Sequence, residues 1–406
     1  MAVKKTFSKT SKKLKQVSKV EKFPILMIAG EHSGDLLGAP LIKELKLSDR
    51  KMKFFGVGGP AMISEGFESL EDMENLSVIG FSQIVSKYGF LKKLLNRIVD
   101  EAIKRKTEFA ILIDYPGFNL QLAKALKEKG IKVFFYVSPQ IWAWRFKRIF
   151  FIKKYIDLML VLFEFEKKIY DEYGVPSEFV GHPLAKRISE KLHSEEKIKF
   201  KTDCIRICVM PGSRTSEIKR ILPVIMKFIP MLHKEITSQN KKIQFLLPNI
   251  NKNAEEKIQF EIEKLKREYP EIEVLYFFDL SLRCIQASDL VIVASGTATL
   301  EVAYFEKPMV ILYKVSLLTY LIGSSVIKVP WIGLVNILGG EEICQELLQA
   351  ECKPEYVKEE VLNILDKPKY RNTMIEKIQK VKKSLGSGDS SKKSASAILK
   401  RMNFLL

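Results

Sequence analysis

Short apolar runs alternate with longer amphipathic stretches along most of the chain. The runs of the first half lack a regular alternation of polar and apolar positions, which is typical of strands covered on both faces of a parallel sheet. We predict strands at residues 23–29, 53–57, 109–113, 131–137 and 157–163. Between them lie helical patterns such as residues 119–129, which Gly130 is expected to end.

This rhythm breaks at residues 185–203, which are charged and poor in apolar periodicity. A second set of runs follows at residues 205–210, 243–247, 272–278, 289–294 and 308–313. Two successive β-α-β halves predict an α/β fold of two Rossmann-like domains facing a cleft. The predicted divisions are a basic tail at 1–22, an N-terminal domain at 23–185, a linker at 186–203, a C-terminal domain at 204–353 and C-terminal helices at 354–406.

The chain is strongly basic, with a formal net charge of +19. Such an excess suits an anionic partner, either nucleic acid or an acidic membrane surface. Residues 1–22 carry much of the charge and are equally compatible with a solvated tail. No stretch of 18 apolar residues is present, so any membrane association is expected to be peripheral.

The cysteines and histidines carry no metal-ligand spacing, so no metal site is predicted. The odd number of cysteines favours a reducing, cytoplasmic setting.

Glycine and polar residues directly follow two predicted strands of the first half, at the strand ends where ligands bind in parallel α/β sheets. The loop at 29–35 contains Glu31, Ser33, Gly34 and Asp35 before a helix. The loop at 113–119 places Asp114 at a strand end, where a carboxylate suits a general base. Each loop alone is equally compatible with an ordinary capped turn.

Two loops of the second half indicate a nucleotide-diphosphate site. In the loop at 210–214, Arg214 suits a bidentate grip on a phosphate. The loop at 294–301 precedes a helix whose N-terminus suits a diphosphate, and Glu301 suits ribose hydroxyls. The chain has no Walker A loop and no G-x-G-x-x-G fingerprint. The candidate residues are Gly212, Ser213, Arg214, Ser295, Gly296, Thr297 and Glu301.

Taken together, these loops resemble those of the lipid A disaccharide synthase family, inverting glycosyltransferases of GT-B architecture. The similarity runs from about residue 25 to residue 350 in the family's order. The matching stretches are AGEHSGDLLGA (29–39), GVGGPAM (56–62), IDYPGFN (113–119), YVSPQIWAWR (136–145), VGHPLA (180–185), PGSRTSEI (211–218), ASGTATLE (294–301) and PMVILYK (308–314).

The resemblance implies a reaction without a cofactor. The donor would be UDP-2,3-diacylglucosamine and the acceptor 2,3-diacylglucosamine 1-phosphate. The products would be a β-1,6-linked disaccharide 1-phosphate and UDP. The enzyme would work in the cytoplasm, attached peripherally to the inner membrane, and the family leaves a homodimer open.

The resemblance also implies residue roles. Asp114 matches the family's proposed base. Glu31 lies in the acceptor-side loop, and we assign it a catalytic role together with Asp114. Ser33, Gly34 and Asp35 complete the acceptor side, and Asn336 joins the UDP side. The chain departs from the family where the motif Leu-Pro-Phe-Glu becomes FEFE at 163–166.

Two segments, residues 79–97 and residues 141–154, combine apolar and basic side chains and suit an interfacial helix against anionic lipid. A core-facing amphipathic helix explains each segment equally well. The candidate membrane or acyl-chain residues are Ile84, Phe90, Leu91, Leu94, Trp142 and Trp144.

The sequence is also compatible with two rival interpretations. Another GT-B UDP-sugar transferase or a UDP-sugar epimerase would share the nucleotide domain. A basic nucleic-acid-binding protein would share the charge, but the chain has no nucleic-acid-binding motif.

Overall fold

The computed structural model describes residues 23–48, 51–77, 84–194, 198, 200–201, 203–316, 320, 329–386 and 388–405. Within these ranges, the strand pairs with a defined residue-to-residue register are all parallel.

The described strands form two sheets. The seven-stranded sheet has the order β3-β2-β1-β4-β5-β6-β7 and the six-stranded sheet the order β10-β9-β8-β11-β12-β13. The strands are β1 (Phe23–Ala29), β2 (Met52–Val57), β3 (Glu68–Glu71), β4 (Phe109–Ile113), β5 (Lys132–Tyr136), β6 (Leu158–Val161), β7 (Ser177–Phe179), β8 (Ile205–Met210), β9 (Ile243–Asn249), β10 (Val274–Phe278), β11 (Leu290–Ala294), β12 (Met309–Tyr313) and β13 (Glu346–Leu348).

Helices separate most of the strands. A parallel sheet requires such crossovers, because the chain must return to the same end of the sheet before the next parallel strand begins. They are α1 (His32–Ser48), α2 (Pro60–Ser64), α3 (Glu74–Ser77), α4 (Ile84–Lys104), α5 (Pro116–Glu128), α6 (Arg148–Tyr155), α7 (Glu164–Glu172), α8 (Leu184–Ser194), α9 (Thr215–Ser238), α10 (Glu255–Glu268), α11 (Ser281–Ala287), α12 (Ala298–Tyr304), α13 (Leu334–Gly339), α14 (Pro354–Asp366), α15 (Pro368–Ser384) and α16 (Ser390–Leu405). A 3₁₀ turn, Lys252–Ala254, precedes α10.

The chain divides into two compact units. The first comprises Met1–Tyr136, Tyr155–Asp157 and Ala395–Leu406, and the second comprises Val137–Lys154 and Leu158–Ser394. Both sheets are parallel and flanked by helices, and the predicted α/β class with two Rossmann-like domains is confirmed.

The ten predicted strands are all present, with ends shifted by two residues or fewer. Their side chains explain the absence of alternation: every residue of β4 and β11 is buried, so both faces of these strands are covered. Three short strands, β3, β7 and β13, were not predicted. Helix α8 occupies the first part of the predicted linker 186–203, with Leu184 and Ile188 buried.

Helix α4 requires a correction to the sequence interpretation. Leu94 is only 3% exposed, and the buried side chains of Ile98, Val99 and Ala102 continue the same stripe. Leu94 therefore belongs to the protein core and is not available to a membrane. Phe90, one turn earlier, is 38% exposed, while the side chain of Ile84 lies outside the described residues.

Within the described part of the chain, no helix has the length and apolar character that crossing a bilayer requires.

The core position of Leu94 predicts different outcomes for two serine substitutions. Leu94→Ser should lower the free energy of unfolding by about 2–4 kcal/mol, because it removes buried apolar contacts and places a hydroxyl in the core. Phe90→Ser should cost less than about 1 kcal/mol, because much of that side chain is already in water. Urea unfolding measures both, and equal losses would contradict the assigned burial.

Candidate active site

The loops that follow β1 and β4 lie side by side. These strands are paired with Ala29 opposite Ile113, so both loops leave the same edge of the sheet. A Cβ atom on Gly30 would come within 2.5 Å of the Tyr115 ring, and only glycine permits this close approach. The Tyr115 hydroxyl donates a hydrogen bond to the Leu76 carbonyl at 2.9 Å. The first predicted loop thus contacts the second through Tyr115.

Asp114 sits on a strained backbone at the end of β4. Both Asp114 and Tyr115 have φ +49°, in the left-handed region that costs a non-glycine residue about 1–3 kcal/mol. The Asn119 amide holds this turn by donating to the carbonyls of Asp114 at 2.8 Å and Ile113 at 3.2 Å. Such strain persists where the surroundings enforce it and is typical of functional sites.

The carboxyl group of Asp114 is poorly solvated. Burial raises the pKa of Asp114, and a hydrogen bond from the Tyr115 backbone N–H offsets part of that rise. Helix α5 has Tyr115 as its N-cap. Asp114 is therefore not the helix-capping residue of an ordinary capped turn, which was the alternative interpretation of this loop. A desolvated carboxylate with a raised pKa is a stronger proton acceptor than an exposed one.

Glu31 lies close enough to Tyr115 to influence its ionisation. Burial, followed by the negative charge of Glu31, raises the pKa of Tyr115. Glu31 and Ser33 are both exposed at the start of α1, whereas Gly34 is buried. The structure therefore brings Glu31 and Ser33 to the same edge of the sheet as the Asp114 turn.

Asp35 has a different environment from its neighbours in the loop. It is buried, and its carboxylate accepts hydrogen bonds from the backbone N–H groups of Gly59, Ala61 and Met62 at 2.9–3.0 Å. These N–H groups belong to the start of α2, where a negative charge is favoured. Asp35 therefore caps α2, and neither it nor Ser33 is the N-cap of α1, which begins at His32.

In the second unit, the loops after β8 and β11 line a common cleft of about 290 Å³. The two strands are paired with Met210 opposite Val293, which aligns the loop starts. Every UDP-side residue predicted in these two loops lines this cleft: Gly212, Ser213, Arg214, Ser295, Gly296, Thr297 and Glu301. Ser281 and the exposed Ile250 also line it and were not predicted.

The loop after β8 is held from both sides. Glu217 accepts hydrogen bonds from the backbone N–H groups of Ser213 and Arg214, both at 3.2 Å. Its other oxygen pairs with the exposed Arg214 guanidinium at 2.7 Å. Asn251 donates to the Ser213 carbonyl at 2.9 Å. Gly212, at φ +120°, provides the backbone conformation that this turn requires.

Glu301 is the second carboxylate of the cleft and lies within α12. Burial raises the pKa of Glu301, whereas the charges of Arg187 and Lys191 lower it. Both cations belong to α8, which packs against α12.

Asn336 is buried, and all of its hydrogen-bonding groups are occupied within the protein. Its amide donates to the Cys344 carbonyl at 2.7 Å and to Glu346 at 2.8 Å. Its oxygen accepts from the backbone N–H groups of Ile343 and Cys344. Asn336 therefore has no free group for a nucleotide in this conformation, and its place in the fold fits a supporting role.

The two tryptophans of WAWR have different environments. Trp142 is half-buried, packs edge-on against Phe165 and donates to Glu166 at 3.2 Å. Trp142 is thus held by contacts within the protein, and its role as an interfacial anchor stays a prediction. Trp144 is 36% exposed, with the guanidinium groups of Arg145 and Arg148 4.7 and 5.0 Å from its ring.

Glu166 is a buried carboxyl that sequence reasoning did not assign. Burial raises the pKa of Glu166 to about 7, although hydrogen bonds from Trp142 and from the Phe163 backbone N–H lower it. Nearby, His182 stacks on Phe163 with ring centroids 5.6 Å apart. Burial also lowers the pKa of His182 to about 4, so its imidazole is neutral at physiological pH. The segment 163–166 thus anchors the WAWR segment.

Among the described residues, no group of three or more His, Cys, Asp or Glu side chains is arranged to hold a metal ion.

The family model described as lipid-A-disaccharide synthetase matches residues 25–400. The chain belongs to this family. A lipid-A-disaccharide synthase of Coxiella burnetii is 38% identical over 377 residues, which cover 92% of this chain and 97% of the relative. Lipid-A-disaccharide synthase 1 of Legionella pneumophila (strain Paris) is 37% identical, with coverages of 90% and 94%.

Membership of the lipid-A-disaccharide synthetase family makes the chain a glycosyltransferase of lipid A biosynthesis, as the sequence resemblance implied. The family's substrates are a UDP-sugar donor and a phosphorylated acceptor.

Solved structures agree on the fold. The UDP-GlcNAc 2-epimerase of Neisseria meningitidis bound to UDP-GlcNAc has a TM-score of 0.61 at 14% identity, covering 93% of this chain and 100% of that one. The MnaA–UDP co-structure of S. aureus has the same TM-score at 15% identity, with coverages of 94% and 97%. At these identities the likeness shows the GT-B-like fold alone.

The environment of Asp35 predicts a loss of stability when its carboxylate is removed. Asp35→Ala should lower the free energy of unfolding by about 2–4 kcal/mol, because three backbone N–H groups lose their acceptor. Asp100→Ala, at an exposed aspartate of α4, is the matched control and should change stability by less than about 0.5 kcal/mol. Unchanged stability in Asp35→Ala, with a raised KM for acceptor, would instead support direct substrate contact.

Proposed function

We propose that the chain transfers the sugar of UDP-2,3-diacylglucosamine to the 6-hydroxyl of 2,3-diacylglucosamine 1-phosphate. The products are the β-1,6-linked disaccharide 1-phosphate and UDP. The observation that carries the acceptor half of this proposal is the desolvated Asp114 carboxylate on its strained turn. The donor half rests on the cleft formed by the loops after β8 and β11.

Asp114 acts as the general base. It removes the proton of the acceptor 6-hydroxyl while the oxygen attacks the donor's anomeric carbon, and the bond to UDP breaks on the opposite face. A single displacement inverts the anomeric configuration. General-base assistance of this kind typically contributes ~10²–10⁴-fold in rate.

Glu31 and Ser33 are proposed to contact the acceptor, because both are exposed beside the Asp114 turn. Asp35 and Gly34 act indirectly. The Asp35 carboxylate fixes the start of α2 beside this edge of the sheet, and the buried Gly34 allows α1 to pack closely against Ala29.

The donor's UDP occupies the cleft of the second unit. Arg214 and the backbone of Ser213 and Gly212 bind the diphosphate, and Ser295, Gly296 and Thr297 border it from the other loop. Glu301 accepts hydrogen bonds from the ribose. Preorganised donors at a developing negative charge are worth ~3–4 kcal/mol each. Asn336 supports this arrangement by joining α13 to β13.

The acylated substrates place the reaction at a membrane surface, and we propose peripheral attachment at the cytoplasmic face of the inner membrane. The surface formed by Trp144, Phe150 and the basic residues around them is the best described candidate. Phe150 is 61% exposed on α6, and residues 141–154 contain five cations and no acidic residue. Phe90 and Leu91 of α4 form a second, smaller apolar patch that is proposed to contact the membrane.

The function is tested by measuring UDP release from the purified protein with donor alone, acceptor alone and both together. Release that requires both acylated sugars, with disaccharide formed in equal amount, is expected. Release from the donor alone would point to a hydrolase or an epimerase. Turnover of UDP-N-acetylglucosamine without an acylated acceptor would likewise overturn the proposal.

Asp114→Asn isolates the proposed base. Asparagine tolerates the left-handed backbone at this position, so the variant should fold normally. Its kcat should fall by ~10²–10⁴-fold, because the amide accepts no proton. The control, Asp100→Asn, removes an exposed carboxylate of α4 and should keep normal turnover. Normal turnover in Asp114→Asn would refute the assigned role.

Membrane attachment is tested with the double variant Trp144→Ser/Phe150→Ser. Burying each exposed aromatic side chain in the interface is worth roughly 1.5 kcal/mol, so binding to anionic liposomes should weaken by roughly 100-fold. Phe260→Ser is the matched control, because Phe260 is 67% exposed on α10 beside acidic residues such as Glu256 and Glu263. Co-sedimentation with liposomes measures the effect. Equal binding by both variants would exclude this surface.

A further inference from the structure

The donor cleft has little positive charge for a ligand that carries a diphosphate. Among the residues that the structure describes, its charged lining residues are one cation, Arg214, and two carboxylates, Glu217 and Glu301. Arg214 is already paired with Glu217 at 2.7 Å. A nucleoside diphosphate brings at least two negative charges, and burying them without compensation is unfavourable. A further cation close to the cleft would therefore improve binding.

Helix α8 packs against two of the helices that border the cleft. It packs on α11, which begins with the cleft residue Ser281, and on α12, which carries Glu301. Lys191 pairs with Asp279, just before α11, at 2.6 Å. Arg283 of α11 donates to the Leu192 carbonyl of α8 at 2.5 Å. These contacts hold the face of α8 that contains Lys191 towards the cleft helices.

Arg187 lies one helical turn before Lys191 on that face, because residues four apart in a helix are neighbours. Arg187 is exposed and forms no ion pair within 4.0 Å with another residue that the structure describes. Because α8 packs on α12, Arg187 lies near Glu301, and its positive charge lowers the pKa of that carboxyl against the effect of burial. Lys191 acts in the same direction but is already paired with Asp279.

We infer that Arg187 is a second cation for the donor's diphosphate, reaching from α8 past Glu301 while Arg214 binds from the loop after β8. The inference rests on the proposed function, in which this cleft receives a UDP-sugar. Arginine suits the task because its planar guanidinium donates two parallel hydrogen bonds to a phosphate and stays charged. The chemical class of ligand is a nucleoside diphosphate, with specificity for the diphosphate and not for the base.

The test compares the binding of UDP and of uridine to the full-length protein, Arg187→Ala, Arg187→Lys and Lys186→Ala. Lys186 is the matched control, because it is an exposed cation of the same helix that pairs with Glu190. Arg187→Ala should raise the Kd for UDP by roughly 10- to 100-fold, the effect of losing a charge-assisted contact. Arg187→Lys should lose less, and Lys186→Ala should bind UDP normally.

Uridine distinguishes a phosphate contact from a structural effect. Its binding, followed by ligand-observed NMR, should be the same in all four proteins, since it has no phosphate. Equal UDP affinity in Arg187→Ala and Lys186→Ala would overturn the inference and leave the proposed function standing. A parallel loss of uridine binding in Arg187→Ala would also overturn it, as the residue would then shape the cleft. Failure of the unaltered protein to bind UDP would overturn the donor assignment itself.

Discussion

Parallel strands covered by helices on both faces have little room for polar side chains, and this constraint organises both sheets. Every residue of β4 and β11 is buried, so polar chemistry is confined to the loops where the strands end. Register then decides which loops meet. Ala29 opposite Ile113 aligns the loops of Glu31 and Asp114, and Met210 opposite Val293 aligns the two loops of the donor cleft.

The same burial gives the candidate base its chemical character. The end of β4 leaves Asp114 poorly solvated, which raises its pKa, and two successive left-handed residues set the direction of the turn. The conformation is held by Asn119 and by the Tyr115 ring packed over Gly30. In the donor cleft, burial raises the pKa of Glu301, while the cations of α8 favour its charged form. Position in the sheet and acidity are therefore linked in both units.

The sequence was sufficient for the main strands and the four loops, because buried apolar runs and glycine-containing strand ends are local signals. β3 and β7 were missed because they are short and rich in polar residues. The roles of Asp35 and Asn336 depend on partners elsewhere in the chain: Asp35 caps a helix 24 or more residues away, and Asn336 joins β13. Leu94 was misassigned because an interfacial helix and a core-facing helix share one amphipathic pattern.

The pH dependence of kcat/KM for the acceptor, at saturating donor, tests the central claim most directly. If deprotonated Asp114 is the base, the rate should fall as pH decreases, and the midpoint should lie above that of an exposed aspartate, about 3.9. The acceptor's phosphate titrates near pH 6, so the residual activity of Asp114→Asn must be followed as well. Asp114→Asn is predicted to lack the acid limb assigned to the carboxylate. An identical acid limb in both proteins would contradict it.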